Sequence, residues 1–150
     1  MWIDAGLAYL HFLAIFALVW FLAREWTLLK TGAACLDIKR LALADLCYGA
    51  AAGAVLVTGA LRATLGAKGW DFYAHNPMFH AKVGLFILVA LISVAPTRIF
   101  RRWRQQAHED AAWKIPDAEW RQARRWVLIE MHGLAIIPLL AVIMSRDLAF

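Results

Sequence analysis

The run Ala5–Ala23, AGLAYLHFLAIFALVWFLA, sits between Asp4 and Arg24 and contains no charged side chain. Coiled as an α-helix at about 1.5 Å per residue it reaches about 28 Å, close to the roughly 30 Å of hydrocarbon in a bilayer. Lipid offers a backbone no hydrogen bonds, so such a stretch crosses it as a helix whose amides are satisfied internally. Met1-Trp2-Ile3-Asp4 ahead of it has no basic segment, and no small-residue cleavage site follows promptly. The run therefore reads as a permanent helix rather than a cleaved leader.

Three further runs of similar length follow, Leu41–Leu61, Met78–Thr97 and Trp126–Ser145. With 63% of 150 residues hydrophobic and 18% charged, these four runs leave no length for a second domain. The expectation is an all-α protein, a four-transmembrane-helix bundle that forms one membrane domain over residues 1–150. No nucleophile with its base, phosphate loop or carboxylate pair falls on an accessible loop, which argues against soluble catalytic chemistry. Cys35 and Cys47 match no disulfide or metal-ligand spacing.

Four spans put both termini and the middle loop on one side. Arg24, Lys30, Lys39, Arg40, Arg98, Arg101, Arg102, Arg104, Lys114, Arg121, Arg124 and Arg125 fall in the first and third loops, twelve of the 16 basic residues. Arg62, Lys68, Lys82 and Arg146 fall opposite. The positive-inside bias predicts cytoplasmic first and third loops and both termini outside, in a multi-pass membrane protein. The net charge of +5 is not a nucleic-acid footprint, because the basic residues border the membrane with Trp103, Trp113, Trp120 and Trp126 among them. Tryptophan beside arginine reads as lipid-interface dressing.

Pro116-Asp117 reads as a helix start, Asp117 capping the first amides. The middle loop, Ala63–Pro77, carries the turn formers Gly66, Gly69, Asn76 and Pro77 with Trp70, Phe72 and Tyr73, and reads as lying on the outer interface. Gly49 and Gly53 leave one face of the second helix almost without bulk. That face is expected to pack closely on another helix, to form a homo-oligomer contact, or to receive a flat ligand such as a porphyrin. Pro138 removes one backbone donor from the fourth helix, a kink that bundles tolerate.

Ionisable groups inside a span cost roughly 3 kcal/mol or more unless they face the bundle and find partners, so they carry most information. Asp45 and Glu130 each lie about one turn inside the cytoplasmic boundary, where Arg24 and Arg98 close the first and third helices. Two acids and two bases at one depth predict an inner ion-pair layer, with a proton path or substrate site as the alternative; Glu25 adds a further acid. The outer layer differs. Arg62, His75, His80 and Lys82 have only Asp71 to offset them, and would attract an anion.

His11 lies about 10 Å below the outer boundary in an uncharged run, and His132 lies near the middle of the fourth helix with Glu130 on a different face. A lone helical histidine is usually a hydrogen-bonded bundle residue, whereas His11, His80 and His132 together make a candidate metal or haem ligand set. Haem is the more economical metal reading. Zinc or copper would want three or four clustered ligands, while haem needs one or two axial histidines and cations for its propionates, which Arg62 and Lys82 supply. Depths differ by roughly 7 Å between His11 and His80 and roughly 10 Å between His11 and His132, so spacing leaves the second ligand open.

Ala8-Tyr9-Leu10-His11-Phe12-Leu13-Ala14, Leu56-Val57-Thr58-Gly59-Ala60-Leu61-Arg62, and Lys68-Gly69 leading to Asn76-Pro77-Met78-Phe79-His80-Ala81-Lys82 resemble, over nearly the whole chain, an uncharacterised family of bacterial four-span inner-membrane proteins, a domain of unknown function. More distantly the chain is similar to the short haem-containing bacterial protoporphyrinogen oxidases, in His11 followed by Trp20 and in Phe79-His80-Ala81-Lys82. That resemblance implies haem ligation by His11 and a catalytic role for Lys82. Ala23-Arg24-Glu25-Trp26 stands where those oxidases carry Tyr-Leu-Pro-Arg, a departure that bears on oxidation more than on haem binding.

The function expected is a haem-b-binding inner-membrane redox protein, with porphyrinogen oxidation as one activity. The rival readings are a small transporter or permeability factor for copper or an organic anion, with Asp45 and Glu130 relaying protons, and a structural accessory subunit. No inverted repeat supports the transporter.

Overall fold

The computed structural model describes residues 2–66 and 69–145. Lys68 and Arg146, counted above among the basic residues, lie outside the described residues. The chain forms α1 (Trp2–Leu29), α2 (Ile38–Leu65), the short α3 (Gly69–Ala74), α4 (Pro77–Glu109) and α5 (Asp117–Ser145). Of these, α1, α2, α4 and α5 are long and apolar enough to cross a membrane. The fold class read from the sequence therefore stands.

Every long helix overshoots its apolar run, and α4 does so by three turns beyond Thr97. Helix propensity explains the extension, since Arg, Gln and Ala are good helix formers and no glycine or proline interrupts Arg98–Glu109. Pro96 sits buried inside α4 without ending it. The Asp37 side chain accepts from Arg40 N at 3.0 Å to start α2, and Asn76 accepts from Met78 N at 2.9 Å and Phe79 N at 3.4 Å to start α4. Gly32, with φ of 89°, turns the chain between α1 and α2. Asp117 is not the cap expected of it. It is the first residue of α5, where its charge favours the helix N-terminus, and the Trp120 amide bonds to Pro116 O at 3.0 Å.

The long helices form a four-cornered ring: α1 lies against α2, α4 against α5, and the two hairpins meet through α2–α4 and α1–α5. Among the described residues the diagonal pairs make no close backbone contact. The ring has an Arg-rich end, holding the α1–α2 and α4–α5 connections, and an α3 end. Leu29, Leu41, Phe100, Trp103, Ala123 and Val127 are wholly buried at or near the Arg-rich end, so the tightest packing is there. Outward, Phe12, Phe16, Trp20, Leu46, Val57, Leu91 and Leu139 stand exposed, an apolar surface that lipid covers.

Two expectations are corrected by this packing. Trp103 is core rather than interface dressing, because α4 continues past the apolar run and turns the indole onto α5, where Nε1 donates to Glu119 Oε2 at 2.8 Å. Gly49 and Gly53 do not serve packing within the chain, since a Cβ at either would meet nothing within 4 Å. Close approaches occur instead at Gly59, facing His11 of α1, at Gly66, beside Asp4 of α1, and at Gly133, facing Val89 of α4.

Candidate functional site

Near the α3 end, three helices bring His11, Thr58, Gly59, Arg62 and Lys82 together. Thr58 and Arg62 are four residues apart on α2, so hydroxyl and guanidinium share a helix face. Gly59 beside them leaves room for the imidazole: a Cβ there would lie 3.2 Å from His11 Cε1. His11 Nδ1 stands 2.8 Å from Thr58 Oγ1.

The direction of that bond follows from counting protons. Thr58 Oγ1 has one, and it goes to the Ala54 carbonyl at 2.6 Å. Toward His11 the hydroxyl therefore accepts, and Nδ1 donates. In the neutral imidazole this leaves the lone pair on Nε2; the Val55 carbonyl also accepts from the ring. Around it stand two cations. Arg62 Nε is buried with no hydrogen-bond partner, and Lys82 Nζ lies over the Phe79 ring at 5.7 Å. Both charges reach His11, and Arg62 also acts on Lys82. Among the described residues neither cation is in an ion pair.

Three of the other histidines make bonds of their own. His80 Nε2 bonds to the Ala74 carbonyl at 2.8 Å, and His132 Nδ1 bonds to the Leu128 carbonyl of its own helix at 2.7 Å on an exposed face of α5. His75 Nδ1 bonds to Asp71 O at 3.0 Å. Among the described residues no three His, Cys, Asp or Glu are grouped to hold a metal ion. Of the histidines proposed from spacing, His11 is the one whose lone pair joins Arg62 and Lys82.

At the other end, the ion pairs expected of Arg24 and Arg98 with Asp45 and Glu130 do not form. Both arginines are exposed, while Asp45 and Glu130 are buried. Glu25 is buried as well, because adjacent helical residues point about 100° apart, and the turn that sends Arg24 outward sends Glu25 inward. Asp45 accepts instead from Thr97 Oγ1 at 2.7 Å. Among the described residues the ion pairs are Arg40–Asp37 at 3.2 Å and Arg102–Glu119 at 2.7 Å. Ahead of the apolar segment of α5, the Trp103 indole N–H, with Arg102 beside it, holds the Glu119 carboxyl below its ordinary range.

Sequence reasoning missed Thr58, Gly59, Thr97 and Tyr48 as polar or close-packed site residues. The spacing Thr58-Gly59…Arg62 held a signal, a hydroxyl and a cation one turn apart inside an apolar run. Thr97 held none, since its partner lies on another helix.

The sequence model of a family described as "Predicted membrane protein (DUF2214)" matches residues 3–149, and the chain belongs to that family. No curated protein and no solved structure matches it. The more distant resemblance to haem-containing oxidases gains no support from these comparisons.

Proposed function

We propose that this family member is a bacterial inner-membrane protein that binds a planar, anionic haem-class ligand near the α3 end, where His11 Nε2 would hold the metal and Arg62 and Lys82 would meet the carboxylates. One observation carries the reading: Thr58 fixes His11 with Nδ1–H donating at 2.8 Å, which leaves the lone pair on Nε2. Ligating histidines are held in this way, the second nitrogen donating to a fixed acceptor. The donor set fits the group, since Arg62 Nε is buried without a partner and takes up a carboxylate at no cost to an existing bond.

Haem bound there would supply one-electron chemistry. The chain's own part is to orient the imidazole through Thr58, to admit it through Gly59, and to exclude water with the apolar α1 surface. Lys82 stands near Arg62, placed to hold a carboxylate or to pass a proton. His132 lies on an exposed face of α5 and His80 Nε2 is taken by the Ala74 carbonyl, so the reading rests on His11, the histidine that has Arg62 and Lys82 around it. The concentration of Arg and Lys in the two connections at the opposite end supports placing that end in the cytoplasm and the termini outside.

Titrating purified protein with haemin in lipid nanodiscs tests the reading. A Soret band that saturates at one haem per chain is expected, with His11→Ala losing it and Thr58→Val weakening binding about 10–100-fold. Absence of a saturable band in the wild type would overturn it.

A further inference from the structure

Each of the four long helices sends an oxygen-bearing side chain inward at the Arg-rich half of the ring: Glu25 from α1, Asp45 and Tyr48 from α2, Thr97 from α4 and Glu130 from α5. Glu25 and Glu130 are each 1% exposed, and Asp45 is 9% exposed. The three carboxylates stand near enough to repel one another, with Tyr48 close to Glu130. Thr97 donates to Asp45 Oδ1 at 2.7 Å. Glu25 Oε1 is buried with no hydrogen-bond partner, and the two buried oxygens of Glu130 have only the Tyr48 hydroxyl within reach.

Nothing packed against the cluster neutralises it. Arg24 on α1 and Arg98 on α4 are exposed and, among the described residues, in no ion pair. The charge of Arg101 on α4 reaches Asp45 alone of the three. Arg124 on α5 is stacked between Trp26 and Trp120. Three ionised carboxylates buried together would each be strongly disfavoured without a counter-charge. No metal-holding group is present among the described residues to supply one.

We propose that this four-helix cluster is a proton-binding site, in which Glu25 and Glu130 carry exchangeable protons and Asp45 carries the charge. The division of roles follows from partners: Asp45 has both the Thr97 hydroxyl and the field of Arg101, Glu130 has the Tyr48 hydroxyl but no cation, and Glu25 has neither. Uptake transfers one proton from hydronium at the Arg-rich end to a glutamate oxygen, leaving water, and release reverses it; no electron moves. The site stands independently of the haem reading, because it shares none of the residues His11, Thr58, Arg62 or Lys82.

Infrared difference spectroscopy on the full chain in lipid at pH 7 tests the proposal through the carbonyl stretch of protonated carboxylic acids, which shifts in D2O. The wild type is expected to show this band. Glu25→Gln and Glu130→Gln are each expected to lose about half of it, while Asp45→Asn leaves it in place. A hydrophobic carbodiimide, which adds to protonated carboxyls, should label Glu25 and Glu130 in the wild type and spare the exposed Asp37 and Glu109. A wild-type spectrum with no such band, or a band unchanged in both glutamate variants, would overturn the proposal. So would carbodiimide labelling confined to surface acids, a result that needs no variant to fold.

Discussion

The Cβ that Gly133 lacks would fall 2.6 Å from Cγ2 of Val89, on the facing helix. Val89 is buried and β-branched, so its methyl has no easy rotamer to retreat to. Gly133→Ala would gain about 1 kcal/mol of helix propensity, yet forcing a methyl into that contact costs about 1–3 kcal/mol. The variant is expected to melt below the wild type in detergent, and Val89→Ala added to it should recover part of the loss. A Gly133→Ala protein that melts higher than the wild type would show that α4 and α5 are not in this contact.

Glycines on α2 divide into two kinds, and substitution should separate them. At Gly59 a side chain meets His11, so Gly59→Val is expected to displace the imidazole and weaken haemin binding at least 10-fold while the helical circular dichroism is retained. At Gly53 it meets nothing, so Gly53→Leu should leave binding unchanged and melt no lower than the wild type, since the helix-propensity gain is unopposed. If the open Gly49/Gly53 face joins two copies of the chain, Gly53→Leu shifts the oligomer toward monomer in analytical ultracentrifugation. An unchanged sedimentation profile would assign that face to lipid.

The spans were legible because charge is absent from the first long run and sparse in the other three, a property each helix carries by itself. Helix ends were less so. Arg98–Glu109 looks like a loop by hydropathy, but it is helical because propensity, not polarity, decides whether a turn continues. Depth arithmetic put Arg62 and Lys82 above His11 at the same end of the bundle, and the face argument that separated Glu130 from His132 agrees with one being buried and the other exposed. Depth alone gives no rotation between helices, however, which is why Thr58 and Thr97 were invisible as partners. The inner arginines misled for a related reason. A residue at a helix end has a depth but also a direction, and long basic side chains turn to water when they can.

Glu119 receives both the Arg102 guanidinium at 2.7 Å and the Trp103 indole at 2.8 Å on one oxygen. Its carboxyl is held below the ordinary glutamate value of 4.5, by the Trp103 hydrogen bond first and by Arg102 second. The folded form therefore binds that proton less readily than the unfolded chain does. The resulting stability is fully present above pH 4.5 and is lost as pH falls through the folded-state value. Glu119→Ala leaves the buried indole N–H without a partner, a loss of about 1–3 kcal/mol. Melting temperature against pH should fall on the acid side for the wild type, and Glu119→Gln should flatten part of that fall. Identical acid limbs for the two would remove Glu119 from the account.

Arg124 lies between two indoles, 5.0 Å from the Trp26 ring and 4.8 Å from the Trp120 ring, and Trp120 Nε1 donates to the Leu29 carbonyl at 3.1 Å. The stack thus ties the end of α1 to the start of α5, one of the two seams joining the hairpins. A planar guanidinium can lie against both rings, whereas a lysine ammonium is a point charge that can approach one face at a time. Arg124→Lys is expected to cost about 0.5–2 kcal/mol despite keeping the charge, and the neighbouring exposed Arg125→Lys close to nothing. Thermal unfolding followed by tryptophan fluorescence reads both. Equal melting temperatures for the two lysine variants would mean that charge, and not stacking, holds this seam.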